Sequence, residues 1–123
     1  MDKVIRILAI IGALPLAFVG LRWIVDPSGA AEGLQMIYME GAARNSQIGD
    51  LTAFFIGMSG FALYGILKQK ADFIYAATIL LGGTAVWRVL AGVVHDAPTV
   101  WSFVAIEVVT SAIWVAHART LKS

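Results

Sequence analysis

Four long apolar runs stand out, at about 4–25, 49–67, 73–94 and 100–118, separated by more polar connections. Each approaches the ~20 residues that a helix needs to cross a hydrocarbon core of about 30 Å. Hydrophobic and polar positions do not alternate within them, and the runs are too long for barrel strands. A helix satisfies its own backbone in lipid. The pattern therefore predicts an all-α fold, an up-down bundle of four transmembrane helices forming a single domain over 1–123.

The connections differ in kind. Residues 68–72 and 95–99 make tight polar turns, and Pro98 suits the start of the fourth helix. The first connection is long, from Asp26 to about Ile48. It opens on Asp26-Pro27-Ser28-Gly29, a helix-stop and turn signal. Residues 30–39 follow and are moderately apolar, which predicts a short helix or cap lying at the membrane interface.

Composition sharpens this picture. Of 123 residues, 59% are hydrophobic and 14% charged, against about 45–50% and about 25% in ordinary soluble domains. Disorder is excluded, and the absence of cysteine excludes a disulfide scaffold or a thiolate metal centre. A net charge of +1 gives no reason to expect nucleic acid. With four spans, Lys3, Arg6, Lys68, Lys70, Arg119 and Lys122 fall on one side, and Arg22, Arg44 and Arg88 on the other. The positive-inside rule then predicts that both termini are cytoplasmic. The first residues also resemble the basic start of a signal peptide. The apolar run is long for one, and Arg22 and Asp26 sit badly before a cleavage site, so the segment is read as a span.

Small residues at four-residue spacing suit close helix contacts. Ala9 and Ala13 offer them on the first span, and Ala53, Gly57, Phe61 and Gly65 on the second. Pro15 is expected to bend the first helix. Trp23 and Trp101 are expected in an outer aromatic belt and Trp114 in an inner one.

Charges inside spans carry the most information, because each costs ~2.5–3.5 kcal/mol at mid-bilayer even on lenient scales. Arg88 lies roughly 9 Å, and Glu107 roughly 12 Å, below the outer ends of the third and fourth spans at the standard helical rise. Joined by a short turn, the two helices bring these residues to similar depth, which predicts an ion pair. Thr110 and Ser111 continue the Glu107 face, and Gly92 and His95 the Arg88 face. Arg22 and Asp26 lie one turn apart on the first helix. If the second helix starts near Asn45, Asp50 faces inward one turn later. All four helices thus supply polar groups to the outward half, while the inner half holds only His117 and terminal basic residues.

Two chemistries compete for this cluster with a purely structural network. Ligand binding would use Arg88, Arg44 and Arg22 for a negative group, with Glu107, Thr110 and Asp50 orienting them, and Met58, Phe61, Phe54 and Trp87 along an apolar part. Acid–base catalysis would use Glu107 or His95 as catalytic candidates. No nucleophile pattern is visible, no metal site is expected, since His95 and His117 sit at opposite faces, and no cofactor is expected.

The stretch Arg44-Asn45-Ser46-Gln47-Ile48-Gly49-Asp50 entering a glycine-rich span, the later Trp87-Arg88 and Glu107 in the last span carry a resemblance. Together they resemble an uncharacterised family of small bacterial four-helix integral membrane proteins. The resemblance covers nearly the whole chain and implies Arg44, Arg88 and Glu107 as recurrent polar positions. Asp50 stands where the resemblance favours glycine. It implies topology and no activity.

The expected function is binding of an amphipathic or anionic small molecule or lipid at the outward polar cluster. The alternatives are a small isomerase-like membrane enzyme, and an accessory subunit or homo-oligomer within a larger membrane complex.

Overall fold

The computed structural model describes residues 2–121. Lys122, used in reading the orientation, and Met1, the first residue of the segment weighed as a signal peptide, lie outside the described residues. Five helices follow one another: α1 (Asp2–Val25), α2 (Pro27–Gly33), α3 (Gly41–Lys68), α4 (Ala71–Val94) and α5 (Trp101–Thr120). No strand occurs among the described residues. All but α2 are long and apolar enough to cross a membrane.

The Asp26-Pro27 step ends one helix and begins the next. Proline pushes the residue before it out of the helical region, and Asp26 stands at φ −147°, ψ 69°. Its carboxylate then accepts the Gly29 N–H at 3.2 Å, and Pro27 occupies the first turn of α2. The short helix therefore starts earlier than the 30–39 expected from its apolar residues. It stops at Gly33, where Gln35 turns left-handed at φ 59°. Ala30 and Ala31 are buried against the bundle.

Residues 36–40 are not helical but form a strap laid over the start of α3. Gln47 clamps it from both sides. Its Oε1 accepts the Met39 N–H at 3.0 Å, and its Nε2 donates to the Ile37 carbonyl at 3.0 Å. Arg44 Nε donates to the Met39 carbonyl at 2.6 Å, and its guanidinium carbon lies 4.2 Å from the Tyr38 ring centroid. Helix α3 thus begins at Gly41, ahead of both the start near Asn45 and the apolar run from about 49. Its first two turns are polar because they hold the strap, so they are invisible to a hydrophobicity pattern.

The four long helices close a ring in which α1 and α4 each pack against both α3 and α5. Trp23, Met58, Ile66, Ile74, Leu81 and Trp114 fill its interior. Large apolar side chains such as Phe18, Ile79, Val93 and Val108 point outward, as suits a bundle whose solvent is hydrocarbon.

Small residues set the close contacts. Ala9 and Ala13 are fully buried. A Cβ at Gly65 would come within 2.9 Å of backbone atoms of both Ile74 and Lys70. In α3 the buried stripe runs through Met58, Ala62 and Gly65. The expected Ala53–Gly57–Phe61 face is incorrect. Ala53 is exposed, Gly57 has open space around it, and Phe61 is exposed against Phe73. Two tryptophans also differ from expectation. Trp23 and Trp114 are fully buried instead of lying in belts. Trp114 spans the interior to donate its indole N–H to the Ala9 carbonyl at 3.1 Å. Trp101 is exposed, as a belt residue should be.

Candidate functional site

Arg88 and Glu107 form the expected pair. Arg88 Nε donates to both carboxylate oxygens of Glu107, at 2.9 and 3.1 Å. Glu107 is buried and Arg88 half-buried. The helical frame around them is fixed by small contacts. Thr99 donates to the Arg88 carbonyl at 3.3 Å, over the gap left by Gly92. The Phe103 ring centroid lies 5.1 Å from the guanidinium carbon. Arg88's terminal nitrogens make no hydrogen bond to the protein among the described residues.

Arg88 also lines a lateral groove of about 760 Å³ between α3 and α4. Leu51, Phe54 and Phe55 form one wall, and Ile79, Gly83 and Trp87 the other. Leu34 and Met36, from the end of α2 and the strap, close its upper edge. The groove is apolar apart from Thr84 and Arg88. Thr84 lies one turn before Arg88, and its hydroxyl is already donated to the Leu80 carbonyl at 2.7 Å. Arg88 is thus the one charged side chain in the lining.

The other candidate residues do not join it. Thr110 is buried against Gly12 of α1, where it packs helices together. Arg22 pairs with Asp26 at 3.2 Å on the exposed surface. Arg44 serves the strap. Asp50 does not face inward as expected; it is exposed. With α3 starting at Gly41, Gln47 takes the inward position, and Asp50 is rotated off that stripe. His95 caps the end of α4, exposed, with no side-chain hydrogen bond to Glu107. Among the lining candidates, Phe54 and Trp87 line the groove, Met58 is core, and Phe61 stacks elsewhere.

Spacing from the ends of the spans gave these residues a common depth. It did not give their rotation about each helix, which separates them into the Arg88–Glu107 pair, the Arg22–Asp26 pair and the strap. Sequence reasoning missed Gly83, Thr84, Leu51 and Met36 in the groove. Thr84 had a usable signal, lying four residues before Arg88 on the same helical face.

Away from the groove, at the α1–α2 corner, the protonation of Asp26 is tuned by its neighbours. The Gly29 N–H, then the Arg22 guanidinium, hold its carboxyl below the usual 3.8. No three His, Asp or Glu side chains gather into a metal-holding group among the described residues.

Comparison of the chain with protein-family models, curated proteins and solved structures finds no match. The geometry of the groove and its arginine is therefore the basis for a functional reading.

Proposed function

We propose that this chain is an integral protein of a bacterial cytoplasmic membrane that binds an amphipathic anion. The negative head sits on Arg88 and the apolar tail lies in the groove between α3 and α4. The carrying observation is that Arg88 offers terminal nitrogens with no partner among the described residues at the edge of a largely apolar groove. Glu107 holds the guanidinium by its Nε and leaves the other donors to a ligand.

An up-down topology with both termini cytoplasmic completes the reading. It is supported by Lys3, Arg6, Gln69, His117 and Thr120 lining one cavity, which gathers both chain ends and the α3–α4 turn. Lys68, Lys70 and Arg119 add positive charge to that end. In this orientation α2, with its buried Ala30 and Ala31, caps the outer interface, and the groove opens sideways to the outer leaflet. The bacterial assignment rests on the resemblance carried by Arg44, Arg88 and Glu107.

The energetics put selectivity in the head. Lipid tails are as apolar as the groove, so the tail gains little by leaving the bilayer. A charge-assisted hydrogen bond contributes about 1.5–3 kcal/mol. That corresponds to roughly a ten- to hundred-fold preference for an anionic head over one with no anionic oxygen. The groove volume falls in the range of about 300–1,000 Å³ typical of small-molecule sites. Binding is favoured over catalysis because Glu107 is engaged by Arg88 and His95 stands apart from both.

Native mass spectrometry of the protein released from mild detergent tests this. A discrete adduct on wild type that is lost in Arg88→Gln supports the reading and identifies the ligand. Wild type without any adduct, even after incubation with anionic amphiphiles, rejects it.

A further inference from the structure

The opposite end of the bundle holds a second cavity, of about 250 Å³, lined by Asp2, Lys3, Arg6, Gln69, His117 and Thr120. His117 is only 2% exposed, yet neither ring nitrogen has a hydrogen-bond partner among the described residues. Arg6 Nε is likewise buried and unpartnered. Buried polar groups are nearly always satisfied, by protein or by something bound. Three unsatisfied nitrogens on two residues lining one cavity therefore point to a missing occupant.

The neighbours do not supply the missing bonds. The Thr120 hydroxyl is donated to the backbone carbonyl of His117 at 2.6 Å. Asp2 makes no ion pair with Lys3 or Arg6 among the described residues. Lys3 and Arg6 outweigh Asp2, so the lining carries net positive charge.

The unmet needs specify the occupant's chemistry. Arg6 Nε is a donor, and a neutral imidazole presents one donor and one acceptor. An occupant must accept at least two hydrogen bonds and donate one, while carrying negative charge. A carboxylate only accepts. A singly protonated phosphate group has acceptor oxygens and a hydroxyl, and its second pKa near about 6 keeps that form populated close to neutrality. We propose that this cavity is a binding site for a terminal phosphate group, held by Arg6 and His117. Such a group arrives either on a phosphomonoester lipid or as free phosphate. Lys68, Lys70 and Arg119 mark this end as basic, as a surface facing anionic headgroups is.

The test reads His117 directly. The full chain, with ¹⁵N-labelled histidine, is placed in phosphatidylcholine nanodiscs, and its imidazole resonances are assigned with His95→Gln. Inorganic phosphate is titrated at constant ionic strength. In parallel, nanodiscs are doped with phosphatidic acid. The expected result is a saturable shift of His117 with His95 unmoved, and binding weakened about tenfold or more in Arg6→Gln. A response to phosphatidic acid alone assigns the site to a lipid headgroup, and a response to inorganic phosphate assigns it to free phosphate. Two results overturn the proposal. One is a His117 signal that neither probe shifts saturably, leaving the cavity to water. The other is an equal shift in wild type and Arg6→Gln. Because His117 and Arg88 line different cavities, failure here leaves the groove reading standing.

Discussion

Arg88 reaches across from α4 to donate its Nε proton to both carboxylate oxygens of Glu107 on α5, at 2.9 and 3.1 Å. A guanidinium held this way is fixed in position while its terminal nitrogens have no partner among the described residues. The pair thus serves two links at once, locking two helices in register and presenting a charge to the groove.

Breaking such a pair leaves an uncompensated charge in a low-dielectric site, at about 3–5 kcal/mol when fully buried. Arg88 is partly open to the groove, which puts Glu107→Gln and Arg88→Gln near the lower end of that range. The double variant Arg88→Gln/Glu107→Gln recovers much of the loss, because no lone charge remains. Unfolding by SDS titration in mixed micelles measures all three. A double variant as destabilised as the sum of the singles contradicts the coupling.

Gln47 holds the strap that roofs the groove. In Gln47→Leu, the Met39 N–H and the Ile37 carbonyl, on exposed residues of the strap, lose their partners, at about 0.5–1.5 kcal/mol for each bond. Hydrogen exchange at the Met39 amide should accelerate by roughly ten- to a hundred-fold, while amides in the middle of α3 keep their protection. Unchanged exchange at Met39 would show that the strap does not depend on Gln47.

Glycines divide by their surroundings. In Gly65→Ala the new Cβ meets backbone of Ile74 and Lys70 at 2.9 Å, and backbone cannot swing aside. The cost is about 1–3 kcal/mol. Gly57→Ala meets nothing within 4 Å, so it is neutral or stabilising. Comparing detergent unfolding midpoints of the two variants checks the assignment of the α3 packing stripe.

Asp26 gives the pH dependence at the α1–α2 corner. Its folded-state pKa lies below the usual 3.8. The unfolded segment therefore binds the proton more readily, and the cap's contribution is fully present above the unfolded value. It is lost as pH falls through the lower folded value. The Gly29 amide should be protected from exchange at neutral pH and lose protection only in acid below the ordinary aspartate range. Asp26→Ala should lack that protection at every pH.

The long helices were legible because hydrophobic length in a membrane protein is dictated by bilayer thickness. The Arg88–Glu107 pair was legible for a related reason. Two charges at similar depth on helices joined by a short turn have few other partners. What escaped was rotation. Trp23 has the composition of a belt residue but turns inward, and Asp50 has the position of a pocket residue but turns outward. Weak amphipathicity hides this choice, since both lipid and core are apolar. The strap was hidden differently. Its extended backbone depends on Gln47, Arg44 and the left-handed Gln35, none of which announces its partner in sequence.

The central claim is that Arg88 selects an anionic head while the groove accepts the tail. The most direct measurement is a titration by native mass spectrometry with two amphiphiles of identical tail, one with a phosphate head and one with an uncharged hydroxyl head. It compares wild type, the neutral double variant Arg88→Gln/Glu107→Gln, and Gly83→Leu, which fills the groove from a position with open space around it. Wild type should prefer the anion by roughly ten- to a hundred-fold. The double variant should bind both equally, and Gly83→Leu should bind both weakly. Equal binding of the two heads by wild type, or an anion preference that survives loss of Arg88, would contradict the assignment.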